Sequence, residues 1–310
     1  METHPILHGW IRRASDGICA SSTWASNGVT VAGDHGNGSQ LDQVNPNYLH
    51  VDYRDGSIFV TDWWFDRVVK WEKGTSSGGI VAGGQGRGNG SHQLGGPVGI
   101  LVDANGTLIV CDGQNRRVQR WKKGASSGET VLANTSCRGV ALDNEGSLYV
   151  VDWVLFRVMK WREDIGVVVA GGNGQGTNLN QLNNPIGLFL DPDRTVYVVD
   201  RSNHCVTKWE PGTKEGTIVA GGNGNGTNLN QLDSPTGVVV DTMGTVYVSD
   251  RLNHRVMRWP EGATSGIVIA GGHGAGNGEN QLNGGFDLAF DDQGNLYVAD
   301  DRNYRIQMFA

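Results

Sequence analysis

A self-similar unit returns roughly every 50 residues along this chain, and a period of that length marks a fold assembled from stacked copies of one supersecondary element. In each unit an apolar run ends in an aspartate: Asp52, Asp103, Asp143, Asp191, Asp241 and Asp291. Each opens a turn that usually reaches glycine three residues on, as from Asp103 to Gly106, which is the pattern of a tight hairpin. A second run, alternating with period two as in Leu296-Tyr297-Val298-Ala299, ends in Asp62, Asp112, Asp152, Asp200, Asp250 or Asp300. The third run begins with Arg67, Arg117, Arg157, Cys205, Arg255 or Arg305. Four residues later come Trp71, Trp121, Trp161, Trp209, Trp259 and Phe309, so both positions lie on one strand face. A fourth run ends in Val-Ala-Gly-Gly or a variant.

Four strands per unit, six units and no helical periodicity predict an all-β fold: a six-bladed β-propeller with four-stranded blades around a central channel. The 48 glycines and 18% charged residues agree, since many tight turns are needed and few exposed helices are present. The last unit stops after its third strand at Ala310, while the chain begins with an orphan fourth strand, 28–33. Joining that N-terminal strand to the C-terminal blade closes the ring and removes an open sheet edge. The expected organisation is an N-terminal arm over 1–17 and one propeller over 18–310.

The segments Asp250-Arg-Leu-Asn-His254-Arg-Val and Asp200-Arg-Ser-Asn-His204-Cys-Val resemble the NHL repeats, and the likeness extends from about Gly28 to the end of the chain. The resemblance implies the propeller but not one activity, because NHL-like propellers include RNA binders, protein-recognition modules of ubiquitin ligases, sensor domains and a few lyases. A peptidylglycine amidating lyase of similar fold holds catalytic zinc through inward histidines on the first strands. The corresponding channel-mouth positions here are Asn47, Val98, Arg138, Ile186, Thr236 and Phe286, none of them histidine. His50 alone lies on an inner strand, and the remaining histidines sit in the tail or outer loops. No metal site and no cofactor are therefore expected.

Residues demanded of every blade are read as builders of blades. The second-strand Asp pairs with the third-strand Arg, and the Trp fills space between sheets. Loops 171–180 and 221–230 lack the Lys of a phosphate loop and the repeated Asp of a calcium loop, so turn geometry accounts for their Gly and Asn. Cys19, Cys111, Cys137 and Cys205 have no CxxC spacing and are read as free thiols. Met1 to Arg13 lacks the apolar run of a secretory signal and no membrane-spanning stretch follows, so no membrane partner is expected, and a cytoplasmic location is favoured over an ectodomain whose targeting segment is missing. A monomer is the expected state.

Function is sought where the repeats break their own rule. The loop after the second strand is polar in blades two, four, five and six. It reads Trp63-Trp64-Phe65 in blade one and Trp153-Val154-Leu155-Phe156 in blade three. The connection from blade two to blade three, running Ala133-Asn134-Thr135-Ser136-Cys137, is about ten residues shorter than its counterparts and lacks their Gly-rich excursion. In a four-stranded meander these segments emerge on one face, which predicts a trough. Blade two is its floor, Trp63, Trp64 and Phe65 one wall, Trp153, Leu155 and Phe156 the other, with Arg138 at the inner end. Exposed Trp and Arg of this kind favour a non-enzymatic binding or scaffold propeller that recognises a protein or peptide. Burial of these loops under Ile6, Leu7, Trp10 and Ile11 of the arm is the competing reading. Single-stranded RNA binding is an alternative that the aromatic loops suit and the net charge of -7 opposes. A channel-centred lyase or hydrolase is another.

Overall fold

The computed structural model describes residues 23–310. They form six four-stranded antiparallel sheets, five with strands in simple sequence order. The blades span 46–83, 97–133, 137–171, 185–221 and 238–271, and the sixth combines 288–309 with the N-terminal strand Val29–Gly33. That strand pairs antiparallel with Arg305–Phe309, Val29 opposite Met308 and Gly33 opposite Arg305. The latch is reinforced by Trp24, whose indole donates to the Gly294 carbonyl at 3.0 Å and packs edge-on to Tyr247. Helix is confined to three short turns, such as Arg201–Asn203. The arm over 1–17, with the cover assigned to Ile6, Leu7, Trp10 and Ile11, lies outside the described residues.

Each repeated residue has a mechanical task. The aspartate ending the first strand caps its own hairpin: Asp103 Oδ1 accepts from the Asn105 and Thr107 amides, both at 2.8 Å. The aspartate ending the second strand stands opposite the arginine opening the third, as Asp62 does to Arg67 and Asp250 to Arg255. Arg67 Nε donates to Asp62 at 2.9 Å, and its other nitrogens reach the carbonyls of Ser39 and Gln43 in the incoming loop. The same clamp recurs at Arg117, Arg255 and Arg305. A buried guanidinium with this many acceptors fixes an irregular Gly-rich loop that has few ladder bonds of its own. Two blades depart. Blade three's incoming loop is only 134–136, so Arg157 finds no carbonyls to clamp and sits 3.6 Å from Asp152. In blade four Cys205 replaces the arginine, and burial without a cation pushes the Asp200 carboxyl up to about 7.

Trp71, Trp121, Trp209, Trp259 and Phe309 are among the largest fully enclosed side chains and belong to cores shared between neighbouring blades. A second link joins blades through backbone geometry. The residue before the third strand is left-handed in every blade, at Asp66, Arg116, Phe156, His204, His254 and Tyr304. In three blades its side chain accepts an amide from the loop leading to the next. Asp66 takes Gly96 N–H at 2.8 Å, His204 takes Ser234 at 3.2 Å, and His254 takes Gly284 at 3.1 Å. The histidines of the repeat are thus inter-blade pins.

Candidate functional site

The first strands line the channel, and the residue after the mouth position is Gly99, Gly139, Gly187 and Gly237 in four blades, Tyr48 and Asp287 in the other two, the last glycine and the aspartate standing just before their strands. The glycines are required by close approach. A Cβ on Gly99 would stand 2.3 Å from the Arg138 carbonyl oxygen, and one on Gly187 2.5 Å from that of Thr236. Tyr48 spans the narrowed throat, its hydroxyl donating to the Ile186 carbonyl of blade four at 3.2 Å. Desolvation in this position drives the phenol far above its ordinary range. Asp287 accepts from the Leu49 amide at 3.1 Å, and burial raises its carboxyl to about 7. The channel is therefore closed at mid-depth. Below the closure a space of about 140 Å³ is walled largely by first-strand residues, including His50.

Above it, on the face that carries the loops after the second strands, opens a cavity of about 290 Å³. Trp63 and Trp153 wall it from blades one and three, and Gly96, Gly113 and Gln114 of blade two lie between them. Asn47, Val98, Arg138 and Phe286 form its inner end. The glycine at 113 stands where blades one and three carry tryptophan, and the 134–136 connection keeps the gap open. The Trp63 indole lies against the backbone of Gly96, where a Cβ would come within 2.7 Å of Nε1. Trp153 offers its face to the Arg138 guanidinium, 4.7 Å from the ring centroid.

The expected trough residues separate into three groups. Trp63, Trp153 and Arg138 converge on the cavity. Trp64, edge-on to Trp63 at 5.1 Å, and Leu155 stand outside it, each more than half exposed. Phe65 and Phe156 turn away: Phe65 stacks on Arg67 of the blade-one clamp at 5.4 Å, and left-handed Phe156 packs into the core between blades three and four. Of the six channel-mouth positions, Ile186 and Thr236 do not line the cavity. Both are fully buried, Thr236 donating its hydroxyl to the Gly285 carbonyl at 3.3 Å.

The sequence reading missed a further part of the mouth. The residue following the second-strand aspartate is Trp63, Gly113, Trp153, Arg201, Arg251 and Asp301 in successive blades. Arg251 donates to Asp301 at 2.6 Å and stacks over Phe286 at 5.3 Å, on the wall of the cavity. Arg201 is half-buried, and burial together with the charges of Arg251 and Arg138 holds its pKa below the ordinary arginine value. The signal was present in the sequence, because this position changes from Trp or Gly in the first three blades to a charged residue in the last three.

Two larger clefts have a different character. One of about 790 Å³ lies between the outer strands of blades four and five, and one of about 410 Å³ between those of blades three and four. A feature that recurs at successive blade boundaries is a consequence of blade packing. Among the described residues no three His, Cys, Asp or Glu side chains converge to hold a metal, and no helix is long and apolar enough to cross a membrane.

None of the curated proteins compared matches the sequence. Solved structures of similar fold include a protein of unknown function from Bacteroides thetaiotaomicron, at TM-score 0.72 and 17% identity over 92% of this chain and 75% of that one. An auxiliary nutrient binding protein from the same organism gives 0.71 and 13%, over 91% and 76%. A gluconolactonase from Xanthomonas campestris gives 0.63 and 13%, over 96% and 98%. At these identities the likeness is one of fold, shared by binding proteins and enzymes alike. Residues 182–209 and 232–259 match the NHL repeat model, each reaching from the end of an incoming loop to the tryptophan of the third strand. With six blades of the same construction closed into a ring, the chain is a six-bladed β-propeller, two blades of which match the NHL repeat.

Proposed function

We propose that this propeller is a non-enzymatic recognition module whose loop face over blades one to three binds a protein or peptide. The observation that carries the reading is the cavity between Trp63 and Trp153, floored by blade two and flanked by the exposed side chains of Trp64, Val154 and Leu155. These aromatics depart from the pattern common to the blades, and Trp beside Arg is the composition of a binding hot spot. The half-enclosed tryptophans supply apolar area on rigid hairpins, so little entropy is lost when a ligand is gripped.

Single-stranded RNA would stack on the same rings, but its backbone needs an extended basic track. The chain carries a net charge of -7. A random dodecapeptide display library, selected on the wild type and counter-selected on the Trp63→Ala/Trp64→Ala/Trp153→Ala variant, tests the reading. Enrichment of peptides that bind only the wild type is the expected result. Failure to enrich, or equal binding to both proteins, refutes it.

A further inference from the structure

Resting on that reading, we infer that the inner end of the trough is a receptor for the C-terminal carboxylate of a peptide, held by Arg138, Arg201 and Arg251 with the last side chain between Trp63 and Trp153. Arg138 lines the inner end of the cavity, Arg251 stacks over Phe286 of its wall at 5.3 Å, and Arg201 holds the equivalent position in the neighbouring blade, near enough for both charges to act on it, so positive charge gathers there on a molecule that is acidic overall. Their existing partners do not use them up. Arg251 is paired to Asp301, yet its Nε and Asp301 Oδ1 are buried with no hydrogen-bond partner among the described residues. Arg138 rests on the face of Trp153, and the Arg201 side chain makes no hydrogen bond or ion pair among the described residues while the charges acting on it include two like ones. Desolvated cations left in this state favour an anionic ligand that accepts several N–H groups at once, and a carboxylate matches the planar fork of arginine.

The geometry distinguishes a chain terminus from an internal acidic side chain. Below the mouth the path is shut by Tyr48, edge-on to Phe286 and bonded to the Ile186 carbonyl, and by first strands packed too closely for a Cβ at Gly99 or Gly187. A peptide following the trough inward from Trp64 and Leu155 has nowhere to continue, so what arrives at the arginines is its end. The cavity of about 290 Å³ is at the small limit of ligand clefts, a size suited to a terminal residue.

The test uses N-acetylated tetrapeptides ending in Phe or Leu, prepared as free acids and as amides. Binding is read from the NMR shifts of the Trp63 and Trp153 indole N–H groups in the full chain. The free acids should shift both indoles and bind at least about tenfold more tightly than the amides. Arg201→Gln should abolish that preference without changing the melting temperature. Equal affinity for acid and amide overturns the carboxylate inference, while loss of both with Trp63→Ala would leave the peptide-binding reading standing. Phenylacetate binding as tightly as the tetrapeptides would make this a small-acid site and overturn the peptide source. Silence of both indoles toward acids and amides, or displacement of the peptides by oligouridylate, defeats inference and reading together.

Discussion

The two kinds of tryptophan in this ring are separable by their cost. Trp209 is almost fully buried in blade four and packs into the core that also contains Tyr149, Val151 and Val158 of blade three. Its indole donates to Thr207 Oγ1 at 3.0 Å, and a Cβ on Gly216 would fall 2.6 Å from the ring, so the turn backbone seals it from outside. Trp209→Ala therefore leaves a void between two sheets whose ladders prevent collapse, at about 3–5 kcal/mol. The stranded Thr207 hydroxyl adds roughly 1 kcal/mol. At about 2–4 °C per kcal/mol for domains of 150–250 residues, the melting temperature should fall by on the order of 10 °C. Trp64 is 57% exposed and Trp153 36%. Truncating such loop side chains should cost about 1 kcal/mol or less each. Thermal denaturation followed by circular dichroism compares Trp209→Ala with the Trp64→Ala/Trp153→Ala variant, Trp63 being left in place because it packs against the core. If the loop variant melts as early as Trp209→Ala, the loop rings are structural and the division of tasks is wrong.

Cys205→Arg should restore the missing clamp of blade four, where loop 171–184 closely parallels the 221–234 loop held by Arg255. Because burial raises the folded-state pKa of Asp200 from 3.8 to about 7, ionising it opposes folding. That penalty is absent below about pH 4, grows between the two values and is complete above about pH 7. The arginine should thus stabilise by about 1–2 kcal/mol at pH 8 and by much less at pH 4 in urea titrations. A gain equal at both pH values would sink the explanation. Removal of residues 1–33 should lower the melting temperature of the whole ring, since it strips the fourth strand from blade six and exposes Phe309. An unchanged melt would show that closure does not couple the termini.

The fold was readable because each blade repeats the same solutions to the same problems. The Asp52 series marks hairpins, the Asp62 and Arg67 series marks cross-strand partners, and an unmatched strand at each terminus marks the latch. The site was readable only through exceptions. Trp63 and Trp153 stood out as large apolar residues in polar loops, and the short 134–136 connection announced a gap. The neighbouring Phe65 and Phe156 looked equivalent in sequence, but a strand-to-strand turn points successive side chains in different directions, and these two serve a clamp and a core. Arg201 and Arg251 were hidden because an arginine in a polar loop is unremarkable until the ring places it beside another blade's arginine. Ile186 and Thr236 share the register of Arg138 yet are fully buried, since equivalent register does not guarantee equivalent exposure.

The pins between blades are unevenly distributed, and blade three receives none of them. Arg116, at the seam leading into it, has no acceptor atom in its side chain, and neither has Phe156 at the seam leading out. The seams of the ring are accordingly held by different means. Into blade three the short connection itself does the holding: the Thr135 amide donates to the Arg116 carbonyl at 2.9 Å and the Cys137 thiol to the Arg117 carbonyl at 3.4 Å. Trp153 and Arg138 are thus anchored to blade two through backbone carbonyls, while Trp63 in blade one is tied to the same blade through the Asp66 carboxylate. The two walls of the cavity therefore hang on one shared floor by unlike bonds, one of which is lost on protonation of a carboxylate and the other not.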